Sequence, residues 1–353
     1  MKQFFLRAYI LIVTPALLVS ACVKDDVITD DSGDEITDNS GNNGDNSSNN
    51  GDDSDDNSDD SGNNGDEITE AKPRPVLPES LATFDKVYEW TPAPGQYINE
   101  GVTLTTPEEA ASWAQERLGK GLFVSLGGFG GYIVVGFDHS VVSSSTADYD
   151  FAIAGNAFFN ASTSSGGSNE PGIVYVMQDT NGNGLPDDEW FELKGSEYDS
   201  DDTIHNYEIT YQRPSSPGMD TEWSDNLGNT GCIDYLASFH KQDYYYPLWI
   251  EADSYTLSGT ALKPRNQRDP ATGMWNNDAY SWGYADNMGA DNFSYGNFNQ
   301  CNRFRISDAV KSDGSPADLR FIDFVKVQTG VCAKSGWLGE LSTEVLGFFD
   351  LGI

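Results

Sequence analysis

From about residue 75 to the C-terminus, apolar residues come in short runs that stop at glycine, asparagine, aspartate or proline. "YIVVGFD", "YDFAIAGN", "GIVYVMQD", "WFELK", "NYEITYQR", "LWIEADSYTLSG", "NRFRIS", "RFIDFVKVQTG", "STEVLGFFD" and the shorter "LFVSL" are rich in β-branched and aromatic side chains, which suit a pleated surface. In "NYEITYQ", Tyr207, Ile209 and Tyr211 alternate with Asn206, Glu208 and Thr210, the period of a half-buried strand. No helix recurs between these runs, so the crossovers of a parallel sheet are missing. The sequence predicts an all-β fold, an antiparallel β-sandwich of jelly-roll-like type. About 280 residues can bury a sizeable core, as one large domain or two lobes.

One short helix interrupts the strands near their start. In "TTPEEAASWAQERLGKG", Thr106 is placed to cap, Pro107 suits the first turn and Glu109 closes a capping box. Ala110, Trp113, Ala114 and Leu118 recur at helical spacing, and Gly119 ends the element. Trp113 on that face is expected in the core.

The N-terminus belongs to a different class of sequence. Lys2 and Arg7 form a positive leader before an apolar run, Ala8 to Ser20, broken by Thr14 and Pro15. It is too short to span a bilayer comfortably, so residues 1–21 read as a secretory signal peptide. The run ends in Leu18-Val19-Ser20-Ala21-Cys22, which resembles a bacterial lipobox and makes Cys22 the expected lipidation site. An ordinary cleaved signal with a chance cysteine is the alternative. "CVKDDVITDD" then resembles the export signal of Bacteroidota lipoproteins displayed on the outer face of the outer membrane. Several acyl chains on one cysteine make a stable anchor. Residues 22–74 are mostly Asp, Asn, Ser and Gly, unable to bury enough surface to offset chain entropy, and read as a disordered, self-repelling stalk.

A formal charge of −36 over 353 residues, with no basic stripe to offset it, argues against nucleic-acid binding. With Cys22 spent on lipid, Cys232, Cys301 and Cys332 leave room for one disulfide in an oxidising exterior, its pairing open.

"DTNGNGLPDDEW" looks like a calcium loop joining two strands. Asp179, Asn181 and Asn183 fall at alternate positions, Gly184 permits a sharp turn, and the Leu185 carbonyl and Asp187 continue the pattern. An EF-hand would have glutamate at the twelfth position; Trp190 stands there, so Asp188, Glu189 or water would complete the shell. The expectation is a structural calcium ion that staples a hairpin. An Asn/Gly turn without metal is the alternative.

His139, His205 and His240 are the three histidines; none lies in HExxH, and no GxSxG elbow occurs. Acidic residues are too abundant for any pair to stand out as a glycosidase dyad. Binding, not catalysis, is the expectation. Aromatics crowd two stretches, residues 235–249 and 275–298, the second interleaved with Asn, Asp and Gly. Tyr244, Tyr245, Tyr246, Trp249, Trp275, Trp282 and Tyr284 are the expected ligand-binding residues, with core packing the alternative for most of the aromatics.

"GGFGGYIVVGFDHSV", "YDFAIAGNAFF", "EPGIVYVMQDTNGNGLPDDEWFELKGSE", "SWGYADN" and "FIDFVKVQTGV…LGELSTEVLGFFDL" together resemble a family of Bacteroidota cell-surface lipoproteins. Members occur beside outer-membrane corrinoid transporters, and some relatives bind cobalamin. The resemblance implies capture of cobalamin or another corrinoid for hand-over to a TonB-dependent transporter. It transfers no ligand residues. A glycan is the rival small-molecule ligand, and a structural or adhesive role is the third reading.

Overall fold

The strand Phe321–Thr329 is buried on both faces along nearly its whole length, which places it inside a sheet with cover on each side. In the computed structural model, which describes residues 71–146, 148–159 and 167–353, it pairs with Tyr132–Val142 on one side and Gly172–Met177 on the other. Lys86–Thr91 adds the strand beyond Tyr132–Val142. Trp190–Leu193 and Ala309–Val310 extend the opposite side, completing a six-stranded sheet with antiparallel pairings throughout.

A four-stranded sheet, ordered Asn292–Tyr295, Phe298–Phe304, Phe151–Ala154, Gly347–Asp350, supplies the second layer. Ile133, Val135, Val174, Val176 and Val325 from the first sheet share one core with Phe151, Ile153, Phe304 and Phe348 from the second. The expected antiparallel sandwich is present, and strands distant in sequence interleave in both layers as in a jelly roll.

The helix Pro107–Gly119 lies against this core through Ala110, Ala114 and Leu118. Thr106 caps it by accepting the Glu109 N–H. Glu109 reaches back one residue further than a capping box requires, to the N–H and hydroxyl of Thr105. Trp113 is half-buried and stacks on Trp90 at 4.8 Å, and Trp249 packs on Trp90 at 5.0 Å.

A further four-stranded sheet, Thr230–Ile233, Thr221–Asp225, Ile204–Gln212, Ser254–Ala261, forms its own core from Tyr207, Ile209, Tyr211 and Leu257 with Phe129, Tyr245 and Tyr246. The alternation read from "NYEITYQ" holds, with Asn206 and Glu208 exposed. In "LWIEADSYTLSG" only Ser254–Ala261 is strand, because Trp249 and Ile250 turn inward to pack.

The described residues fall within one compact unit, Asp66–Ile353. Two expectations change. Packing begins before residue 75: Arg320 donates to the Ala71 carbonyl, and Arg74 docks on Ser140 and Asp323. Cys232, Cys301 and Cys332 are all free thiols: Cys301 lies in the Phe151 sheet, Cys232 lies in the Tyr207 sheet with its Sγ donating to Asp234 Oδ1, and Cys332 packs against the core of the latter sheet. The signal peptide, Cys22 and nearly all of the stalk lie outside the described residues.

Candidate functional site

On the strand Gly347–Asp350, side chains alternate across the sheet. Phe348 enters the core, and Phe349 faces the opposite way. Phe349 meets Phe298 at 5.4 Å and Tyr295 at 5.0 Å, so a row of half-buried rings lines the outer edge of this sheet. Together with Phe158, which is 57% exposed, Phe298 and Phe349 floor a groove of about 990 Å³. Asn156, Asn297, Asn299 and Gln300 supply amides, and the C-terminal end of the helix, Leu118–Gly121, forms a wall. The volume stands at the top of the roughly 300–1,000 Å³ typical of small-molecule sites. Among the described residues its lining holds no histidine, serine or cysteine.

Behind the Asn156–Phe158 wall lies a smaller cavity of about 250 Å³, lined by Glu170, Glu340, Glu344, Tyr97 and Asn277 among others. Backbone pairing assembles it. The Glu170 N–H donates to the Asp286 carbonyl, and the Glu344 N–H donates to Asp286 Oδ2 at 3.0 Å. Asp286 takes a left-handed φ of 51°, and its Oδ1 accepts the N–H groups of Asn156 and Ala157. Carboxylate oxygens of Glu170, Asp286 and Glu344 all come within 4.8 Å of one another. Burial pushes the Glu170 carboxyl up, with the Asp286 charge adding to it. Burial likewise raises Glu344 well above the ordinary range, with Glu170 adding, and raises Asp286 against the pull of its N–H donors. Glu340 is pushed up to about 7 by burial. Tyr97 on the same cavity rises to about 12, through burial and then the charge of Glu344.

Of the seven expected aromatic residues, four lie in the core. Tyr245 and Tyr246 are core residues whose hydroxyls donate to the carbonyls of His240 and Ala252, which lets a tyrosine be buried at little cost. Trp249 packs on Trp90, and Tyr284 is buried beside Tyr280 with its hydroxyl accepting the Glu197 N–H. Trp282 is exposed, Tyr244 and Trp275 are half-buried, and none of the seven lines the groove.

The predicted calcium loop closes on itself. Asp179 accepts the N–H groups of Gly182, Asn183 and Gly184, the two glycines having φ of 72° and 73°. Asp187 accepts the side-chain amides of Asn181 and Asn183, and Asp188 accepts the Thr180 N–H and hydroxyl. The Leu185 side chain is exposed, and Tyr88 ties the loop to the six-stranded sheet through the Gly184 carbonyl. Asp179, Asn181, Asn183, Asp187 and Asp188 are thus gathered by hydrogen bonds within the loop. The amide oxygens of Asn181 and Asn183 are turned onto loop N–H groups, so a bound ion would require those side chains to rotate.

Another hollow, of about 580 Å³, holds Lys326 with Tyr175, Trp190 and Glu192. The ammonium lies 4.4 Å over the Tyr175 ring and 5.3 Å over Trp190. Burial lowers its pKa to about 8, against the attraction of Glu89 and Glu192. The unfolded chain holds that proton up to about pH 10.4, so between the two values the unfolded state binds more protons and stability rises with pH. The gap in stability between wild type and Lys326→Met is expected to change by about 2–3 kcal/mol from pH 7.5 to 10, in favour of wild type. Denaturant titrations at several pH values test this, and a constant gap would contradict it.

No family model and no curated protein matches the chain. Four separate stretches of the chain meet at the small cavity and its wall: Asn156 and Phe158, Glu170, Asp286, and Glu340 with Glu344. Sequence reasoning missed this cluster because acidic residues are abundant throughout. The available signal was an isolated charge inside an otherwise uncharged, strand-forming run, as with Glu344 in "LSTEVLGFF".

Proposed function

We propose that the chain is a lipid-anchored receptor on the outer face of the outer membrane, which captures a corrinoid such as cobalamin and presents it to a TonB-dependent transporter. The observation that supports this reading most is the groove of about 990 Å³ floored by Phe158, Phe298 and Phe349 and rimmed by side-chain amides. A corrinoid offers a broad, largely apolar ring with amides at its edge, and rings with an Asn/Gln rim match both features. Cys22 would hold the receptor by its acyl chains, with the acidic tract as spacer. Calcium in the Asp179–Asp188 loop would brace the receptor without taking part in uptake; a melting temperature insensitive to chelator would remove that element.

Calorimetry on the full chain with cyanocobalamin and with a panel of polysaccharides tests the assignment. Saturable cobalamin binding is expected, weakened at least about tenfold in Phe298→Ala/Phe349→Ala, as loss of two ring contacts implies. Melting temperatures of the two proteins show whether the variant is folded. A glycan is the second reading, since the same rings and amides would grip a sugar face; heat from a polysaccharide and none from cobalamin would establish it. Silence from both would leave the adhesive role.

A further inference from the structure

The carboxyl groups of Glu170, Asp286 and Glu344 come together, the latter two buried and Glu170 half-buried, and buried Glu340 lines the same cavity as Glu170 and Glu344. None of the ion pairs among the described residues involves any of the four. Burying one unpaired carboxylate is expensive, and gathering several is more so, unless they keep protons or share a metal ion. Backbone geometry holds the three together regardless: the Asp286 carboxylate accepts the N–H groups of Asn156, Ala157 and Glu344, and its carbonyl oxygen accepts the Glu170 N–H.

Two further buried oxygens have no partner among the described residues. Glu340 is 4% exposed; its Oε1 accepts the Gln96 N–H at 2.7 Å, and its Oε2 has no hydrogen-bond partner among the described residues. It lines the same cavity as Glu170 and Glu344. Gln300 is 6% exposed and its Oε1 is also without a partner. That oxygen crowds the space above Gly155 together with Asp286: a Cβ there would stand 2.5 Å from Gln300 Oε1 and 2.7 Å from Asp286 Oδ1. Buried acceptors without donors are rare, and each costs about 1–3 kcal/mol.

We propose that Glu170, Asp286 and Glu344 bind one calcium ion at the cavity behind the Asn156–Phe158 wall, with Glu340, whose unpartnered oxygen belongs to the same cavity lining, as a further oxygen donor. An all-oxygen, carboxylate-rich set excludes zinc or copper as the preferred occupant, both of which favour nitrogen or sulfur. Calcium takes six to eight oxygens at about 2.3–2.6 Å, so donors spread within 4.8 Å of one another can converge on it. Magnesium keeps its water and fits a dedicated protein cage poorly. The site is separate from the Asp179–Asp188 loop. It would also stiffen the groove, because Asp286 fixes the backbone of Asn156 and Ala157, which line it.

The test is calcium titration of the chelator-treated full chain by calorimetry, with melting temperatures recorded in parallel. Wild type is compared with Glu170→Gln/Glu344→Gln, and both are repeated in an Asp187→Asn/Asp188→Asn background that disables the loop. Weak binding to the acidic N-terminal tract is common to all and cancels in the comparison. One ion fewer is expected in Glu170→Gln/Glu344→Gln in either background. That variant should also be no less stable than wild type in chelator, because it removes charge from a buried cluster. Equal stoichiometry in the two proteins overturns the proposal, as does the absence of tight calcium binding in the loop-disabled chain. Should the double variant not fold, Glu340→Gln decides: a fall in calcium affinity of about tenfold supports the site, and unchanged affinity overturns it.

Discussion

Replacing Gly131 by alanine is expected to leave almost no folded protein, with Gly127→Ala nearly as damaging. A Cβ on Gly131 would stand 1.8 Å from the Leu126 carbonyl oxygen and 2.2 Å from the Ala93 nitrogen. On Gly127 it would stand 2.0 Å from the Ala93 oxygen, and that residue also holds a φ of 71°. The obstructing atoms are backbone, so no side-chain rotation relieves them. The "GGFGG" turn is packed by main chain on three sides: Ala93 N–H donates to Leu126, Gly128 N–H to Pro94, and Gly130 N–H to Thr329. Opening those contacts would cost more than about 4 kcal/mol, against a total stability of about 5–15 kcal/mol for a domain. Gly296→Ala is the control; its φ of 57° is similar, but nothing lies within 4 Å, so about 1 kcal/mol is expected. Soluble yield and denaturant midpoints measure all three. A Gly131→Ala midpoint close to that of Gly296→Ala would show that the turn yields easily. The turn also bears on the site, since Gly127 N–H donates to Ser342 Oγ while Ser342 N–H donates to Glu170.

Local features of this fold were legible because their causes are local. The alternation of Tyr207, Ile209 and Tyr211 and the Thr106 cap depend on neighbours a few residues away. Thr221–Asp225 and Thr230–Ile233 escaped notice because a polar, one-sided edge hairpin resembles a loop in composition. The aromatic stretches misled for a different reason. Whether Tyr245 and Tyr246 point inward depends on carbonyl partners at His240 and Ala252 and on the receiving face of a remote sheet. Phe298, in the same aromatic-rich stretch, faces the groove, and nothing in its local composition separates it from Tyr284 in the core. The carboxylate cluster is the extreme case, drawn from segments more than a hundred residues apart in the chain (Glu170 to Asp286). Site residues here are defined by strand order, which periodicity does not encode.

Asp323→Ala should cost about 3–5 kcal/mol, the usual penalty for removing one partner of a buried, hydrogen-bonded ion pair. Asp323 is 1% exposed in the middle of the six-stranded sheet. It sits where pairing with Tyr132–Val142 shifts register between Ile322 and Phe324, and that irregularity brings Ser140 against it. Its Oδ1 accepts Arg74 Nε at 3.0 Å and the Ser140 hydroxyl at 2.5 Å, and its Oδ2 accepts the Asp179 N–H at 2.8 Å. One carboxylate therefore fastens three things: the point where the chain leaves the acidic tract, a central strand, and the first residue of the Asp179–Asp188 loop. Arg74 is a third exposed, so water recovers part of its solvation; the Asp179 N–H and Ser140 are buried and have no such recourse. Asp323→Asn keeps an acceptor of the same shape and should lose less, about 1–3 kcal/mol, through loss of charge toward Arg74. Chemical denaturation of the two variants beside Arg74→Ala separates the contributions. If Asp323→Ala costs no more than Arg74→Ala, the carboxylate serves only the arginine, and the loop and the strand are held by other contacts.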